Sequence, residues 1–137
     1  MLALLYATSL ASATAIVGRV GLASLFVLGG ISKLLTYEAT SERMATVGLP
    51  LVSVLLPSVI ALELTAGIMV AAGSRYLSVA AILLAGFTLS TNPVFHDFWN
   101  VTGQRSALEL SLFFKNLSIA GALLYVAAVP VLRGDDA

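Results

Sequence analysis

Residues 76–95 read YLSVAAILLAGFTLSTNPVF, a run of 20 without one Lys, Arg, Asp, Glu or His. A helix crossing about 30 Å of hydrocarbon needs about 20 such residues, so this stretch reads as a membrane span. Working backwards, MATVGLPLVSVLLPSVIAL at 44–62 and LTAGIMVAAGS at 64–74 form a second apolar tract interrupted only by Glu63. Residues 1–18 and 20–32 are likewise uncharged on either side of Arg19. Working forwards, residues 116–132 carry no charge, and SLFF at 111–114 extends that run across Lys115. The economical division is four spans, near 13–35, 51–73, 76–94 and 108–130. The expected fold is all-α: a four-helix transmembrane bundle, up-down-up-down, one domain over 1–137, with both termini on the same side.

Composition agrees with that division. Of the 137 residues, 59% are hydrophobic and only 10% charged, and the mean hydropathy is +1.02. Soluble domains carry about 25% charged residues. Seven Lys/Arg balance seven Asp/Glu, and no basic tract points to nucleic acid. The chain has no cysteine, which removes disulfides, thiol redox chemistry, Cys-ligated zinc and iron–sulfur clusters. With His96 as the single histidine, no metal site and no intrinsic cofactor are expected.

The connections carry their own markers. MLALLYATSLASA resembles a leader's apolar region but has no Lys or Arg before it. The first ten residues are therefore expected to prolong the first helix or lie along the interface. TYEATSERMATVGLP, residues 36–50, reads as a loop with one short interfacial helix, and Pro50 suits the first turn of the second span. Gly73 is placed to stop that span before a tight hairpin through Arg75. Asn92-Pro93 reads as the breaker ending the third span, followed by the interfacial aromatics Phe95, Phe98 and Trp99. Asp135 and Asp136 form a polar tail. The two sides of the bundle carry three Lys/Arg each, so the positive-inside rule sets no orientation.

With so few charges, those inside the spans are the informative residues. Glu63 falls near mid-membrane, about 18 Å from the long-loop side at about 1.5 Å of rise per residue. On the same scale Lys115 lies about 11 Å and Arg19 about 24 Å from that side. Glu63 is thus expected to pair with Arg19 or Lys115, in a polar network that includes Asn116. Such a network is either a clasp holding the bundle or a proton carrier and hydrogen-bond partner for a ligand. Arg19 and Lys33 lie two heptads apart on one stripe of the first span, with Phe26 and Gly30 between them. Gly30 permits close approach by another helix or a ligand. Lys33 either snorkels to the interface or helps hold a polar head group.

The long-loop side collects Lys33, His96, Trp99 and Glu109, with Asp97 beside them. Histidine changes charge near physiological pH, so His96 is either an interfacial anchor or a group passing protons to a carrier. If the site takes a ligand, that ligand is an amphiphile such as a quinone or lipid. Its head would lie among Lys33, His96 and Glu109, with Trp99 as a flank. No residue is assigned a catalytic role.

The segments in order resemble the DoxX family of small four-helix membrane proteins. The likeness is carried by Arg19 with GLASLFVLGGISKL up to Leu34, VGLP at 47–50, ALELTAGIMVAAG around Glu63, Arg75, FHDFW at 95–99 and LFFKNLSIAGALL at 112–124. The resemblance implies a multi-pass protein of a bacterial cytoplasmic membrane. It also implies a link to quinone-coupled electron transfer, since the family takes its name from a small subunit associated with a terminal oxidase and a thiosulfate:quinone oxidoreductase. Thiol-redox relatives depend on cysteine pairs, and that activity does not transfer to this chain.

The leading expectation is a non-catalytic accessory subunit of a quinone-linked electron-transfer or other membrane complex, not an enzyme on its own. The alternatives are a small-molecule carrier or quinone/lipid-binding module, favouring self-association, and a structural subunit covering a hydrophobic face of a larger complex. The partners expected are membrane lipid and either a larger complex or further copies of the chain.

Overall fold

The structure, a computed structural model, describes the backbone of residues 2–133 and the side chains of residues 10–129. Asp135 and Asp136 lie outside the described residues. Four long helices carry the chain back and forth: α1 (Leu2–Leu35), α3 (Val52–Ala72), α4 (Leu77–Phe95) and α5 (Gln104–Arg133). A short α2 (Tyr37–Thr46) and a 3-10 turn at Phe98–Asn100 occupy the two long connections. No strand occurs among the described residues. All four long helices are apolar and long enough to cross a membrane. Four crossings and the short interfacial helix match the sequence reading. The helix α1 starts at Leu2 and runs unbroken, so residues 2–10 prolong it.

Two boundaries depart from expectation. Asn92-Pro93 does not break the third span: α4 passes through Pro93 to Phe95. Proline removes one backbone donor, and nearby hydroxyls and adjusted geometry make that tolerable in membrane helices. Here the one carbonyl deprived of its donor is that of Leu89, and the helix resumes beyond it, the His96 amide closing the last turn on Asn92 O at 2.9 Å. Pro50 lies outside α3, which begins at Val52 behind Leu51. Leu51 takes φ +50° and its carbonyl accepts from the amides of Val54 and Leu55. Gly73 does stop α3 as expected, at φ +64°. The Ser74 amide bonds Met69 O and the Gly73 amide bonds Val70 O, a Schellman closure.

Packing follows membrane rather than aqueous logic. Lipid tails are as apolar as leucine, so helices associate by close fit, and small residues gather at their interfaces. The main core is accordingly rich in alanine: Ala23, Ala66, Ala80, Ala81, Ala85 and Ala120 are all buried. Phe26, Val70, Leu84 and Leu123 fill the remaining space. Leu25, Leu28 and Leu124 are exposed, facing the lipid. A second cluster of Met44, Leu56 and Ile60 fastens α2 to α3.

The helices α1 and α3 run antiparallel at short range. A methyl group placed on Gly30 would stand 2.9 Å from Leu64 Cγ, and one on Gly67 would stand 2.9 Å from Val27 Cγ2. Gly30 thus permits the close approach its position suggested. Gly86, by contrast, has nothing within 4 Å of such a methyl. On the other side of the bundle, α4 packs antiparallel on α5, with Asn92 near Asn116 and His96 near Glu109. Ala11 and Val129 border a common groove, so α1 enters and α5 leaves on the same side.

Candidate functional site

Glu63 lies inside the bundle on α3, its side chain only 6% exposed. Its partner is neither Arg19 nor Lys115. Lys33, in the last turn of α1, donates to both carboxylate oxygens, at 2.9 Å to Oε1 and 2.8 Å to Oε2. Spans that started at one level would hold Lys33 about 15 Å from Glu63, but α1 and α3 are offset along their axes, so that Gly30 faces Leu64 and Lys33 comes within a turn of Glu63. Helical side chains tilt toward the N-terminus, and the long Lys33 stem reaches back a full turn. Its Nζ lies 3.4 Å from the Gly29 carbonyl. Gly29 is the seat of the pair, since a methyl there would meet Glu63 Oε1 at 3.4 Å and Lys33 Nζ at 3.5 Å.

Arg19 occupies the far end of the same stripe. Its guanidinium rests against Gly73, and any Cβ at that position would collide with it. Lys115 is exposed on the outer side of α5, and no hydrogen bond or ion pair joins it to Glu63. Asn116 is engaged separately, donating at 3.2 Å to Asn92 Oδ1. Asn92 in turn donates at 3.1 Å to the Phe113 carbonyl. The four residues expected to form one intramembrane network therefore lie in four separate places.

The second group divides differently. Lys33 and His96 line the same groove, of about 890 Å³, at the long-loop end between α1, α2, α3 and α4. Glu63 forms part of its wall, as do Thr36, Thr40, Ser90 and Thr91. Apolar surface comes from Met44, Leu55, Val59, Phe87 and Val94. Arg43 of α2 also lines it and sits 5.9 Å from the Phe95 ring centroid, a cation–π arrangement. Glu109 stands behind His96 rather than in the groove, its Oε2 2.9 Å from His96 Nδ1. That bond orients the imidazole and leaves Nε2 as the ring's other polar atom. Trp99 is not in the lining: it is 53% exposed and packs edge-on against Phe98 and Phe113, at 5.0 and 6.1 Å. Asp97 is also apart from the groove, accepting from Asn100 at 3.1 Å.

Sequence reasoning missed Asn92 and Arg43. Asn92 was read only as the partner of a helix-breaking proline, yet it is 2% exposed. The signal was present: Leu77, Ala81, Leu84, Ala85, Thr88 and Asn92 recur at helical spacing, and all are buried on α4. Arg43 carried no such signal, because one charge in a polar loop looks like any other.

With this geometry in place, the chain can be set beside known proteins. The DoxX family model matches residues 14–97. Inner membrane protein YphA of Escherichia coli (strain K12) is 29% identical over 112 residues, covering 82% of this chain and 79% of that protein. Inner membrane protein YqjF of the same organism is 32% identical over 112 residues, covering 82% of this chain and 80% of that protein. No solved structure matches the chain.

Proposed function

The chain belongs to the DoxX family, and on that premise we propose that it is a non-catalytic module that holds an amphiphilic small molecule of quinone type in the groove beneath α2. It is an integral, multi-pass membrane protein, homologous to bacterial inner-membrane proteins. In the proposed role it serves a larger quinone-linked electron-transfer complex as an accessory subunit.

The observation that carries this reading is the juxtaposition of the Lys33–Glu63 pair and His96 in one groove of about 890 Å³. Small-molecule sites are mostly apolar clefts of about 300–1,000 Å³ with a few convergent polar groups. The Lys33 ammonium has three donors. Two go to Glu63, and the third meets Gly29 O at 3.4 Å, a long bond that a ligand carbonyl can replace. With its Nδ1–H held by the Glu109 carboxylate, His96 presents Nε2 as an acceptor to a quinol hydroxyl, and as a donor to a quinone carbonyl when the ring is doubly protonated. The apolar tail of an amphiphile fits against Leu55, Val59 and Phe87, which line the same groove.

The test is a titration with a short-chain quinone in matched detergent and salt. It compares the native protein with Lys33→Ala and His96→Ala, each assayed well below its melting temperature. Saturable binding by the native protein, weakened about tenfold or more in both variants, supports the reading; that corresponds to losing one hydrogen bond of about 1.4 kcal/mol or more. Equal, non-saturable uptake by all three refutes it. A large partner retained in stoichiometric amount through purification supports the accessory role.

A further inference from the structure

The Lys33 groove leaves Arg19 unexplained. Its Nε is buried and has no hydrogen-bond partner, and no ion pair among the described residues includes it. Arg19 as a whole is half-buried, but polar atoms shut away from water are normally hydrogen-bonded, so the orphaned Nε needs an account. Its surroundings are made for it: Gly73 lacks the Cβ that would strike the guanidinium. Arg19 also lines a second groove, of about 820 Å³, at the end of the bundle opposite Lys33. This groove lies between α1 and α5, with Leu77 of α4 among its walls.

Three properties of the groove define what suits it. Among the described residues Arg19 is the single charged group lining it and no carboxylate borders it, so those residues give the groove a positive potential. Its walls are otherwise small or apolar, including Gly18, Gly21, Leu22, Ala122 and Val126. It opens sideways, with Val17 and Tyr125 on its rims each 71% exposed. Its depth is informative too: Gly73 begins the polar hairpin of Ser74 and Arg75, so Arg19 lies near the level of lipid head groups on that side.

We propose that the α1–α5 groove is a binding site for an anionic phospholipid. The Arg19 guanidinium holds the phosphate by charge-assisted hydrogen bonds, and an acyl chain lies against Gly18, Gly21 and Ala122. Guanidinium matches phosphate oxygens in a bidentate geometry that a neutral donor cannot reproduce. The apolar walls select a lipid over free phosphate, which gains nothing from them. The lipid also fills the seam between α1 and α5. This site is separate from the Lys33–His96 groove.

The experiment measures phosphatidylglycerol and phosphatidylcholine binding to delipidated protein in mixed micelles, with melting temperature and native mass as readouts. Native protein is expected to retain about one phosphatidylglycerol per chain, bound about tenfold more tightly than phosphatidylcholine, and Arg19→Gln to abolish that preference. Gly21→Leu tests the walls with Arg19 intact. Nothing lies within 4 Å of a methyl at Gly21, so the larger side chain is accommodated and is expected to displace the lipid. Inorganic phosphate alone is expected to give neither a melting shift nor protection. The proposal is overturned if the two lipids bind native protein equally, or if Arg19→Gln keeps the preference. It is also overturned if phosphate alone reproduces the effect, or if the groove is closed by a second copy of the chain, seen as a lipid-free dimer broken by Gly21→Leu.

Discussion

The Lys33 ammonium and the Glu63 carboxylate stand 30 residues apart in the chain and meet in a two-pronged ion pair of 2.8 and 2.9 Å. The pair joins α1 to α3 at the long-loop end, and its two members are unequally sheltered. Lys33 is 29% exposed along its side chain and Glu63 6%.

That asymmetry sets unequal costs for breaking the pair. Lys33→Leu strands a buried carboxylate and is expected to destabilise by about 3 kcal/mol, the low end for orphaning a buried charge. Glu63→Leu leaves a lysine that can extend to the interface, and its expected cost is about 1 kcal/mol. The double variant should be more stable than Lys33→Leu alone, a coupling that a double-mutant cycle of detergent unfolding would read.

Glycine substitutions should separate close packing from coincidence. Gly67→Ala pushes a methyl against Val27, which is stiff at χ1 and cannot turn away, so about 1–3 kcal/mol is expected to be lost. Gly86 has open space where its methyl would go. Gly86→Ala should therefore be neutral or gain up to about 1 kcal/mol from helix propensity. Melting temperatures of the two variants in the same detergent check the contrast.

On α4 and α5, removing the Asn92–Asn116 bond and removing the neighbouring Lys115 should have unequal effects. Asn92→Ala removes both the Asn116 bond and the bond to Phe113 O, with an expected cost of about 1 kcal/mol, typical of interhelical polar contacts in membranes. Lys115→Ala, on the exposed side of α5, should change stability by less than about 0.5 kcal/mol. Equal effects in unfolding measurements would contradict this placement.

For the proposed quinone groove, the support behind His96 can be tested apart from the lining. Glu109→Ala frees the imidazole that Glu109 orients at 2.9 Å and should weaken short-chain quinone binding by about threefold to tenfold. Trp99→Ala alters an exposed ring outside the groove lining and should leave the binding curve unchanged. Parallel titrations of the two variants decide the matter.

The candidate residues were legible by type more than by partnership. Membrane cost singled out Glu63, Lys33 and Arg19, because a charge in an apolar span is rare whatever surrounds it. Helical spacing then grouped Arg19, Phe26, Gly30 and Lys33 on one stripe, and that stripe does face α3. Partner choice was not legible. It turned on the axial offset of α1 against α3, which sets Gly30 opposite Leu64 and brings Lys33 within reach of Glu63, and span lengths alone cannot express that. Trp99 shows the opposite failure: an aromatic near an interface is identifiable, but its rotation into a ring cluster with Phe98 and Phe113 is not.

The order of residues alone accounts for the four crossings, the Gly73 stop, the short helix in the first long loop and the common side of the two described ends. Each follows from local terms: the length of an uncharged run, the conformational freedom of glycine, and the parity of the crossings. Tertiary structure decided which charges meet, which small residues are tight, and where the grooves lie. Those outcomes depend on the rotation and axial offset of one helix against another, which place Lys33 on Glu63 and leave Arg19 beside Gly73. In lipid, apolar pattern cannot set that rotation, because a leucine facing a tail and a leucine facing a helix are nearly equivalent. Close fit at Gly30 and Gly67 and polar pairing at Glu63 and Asn92 fix it instead.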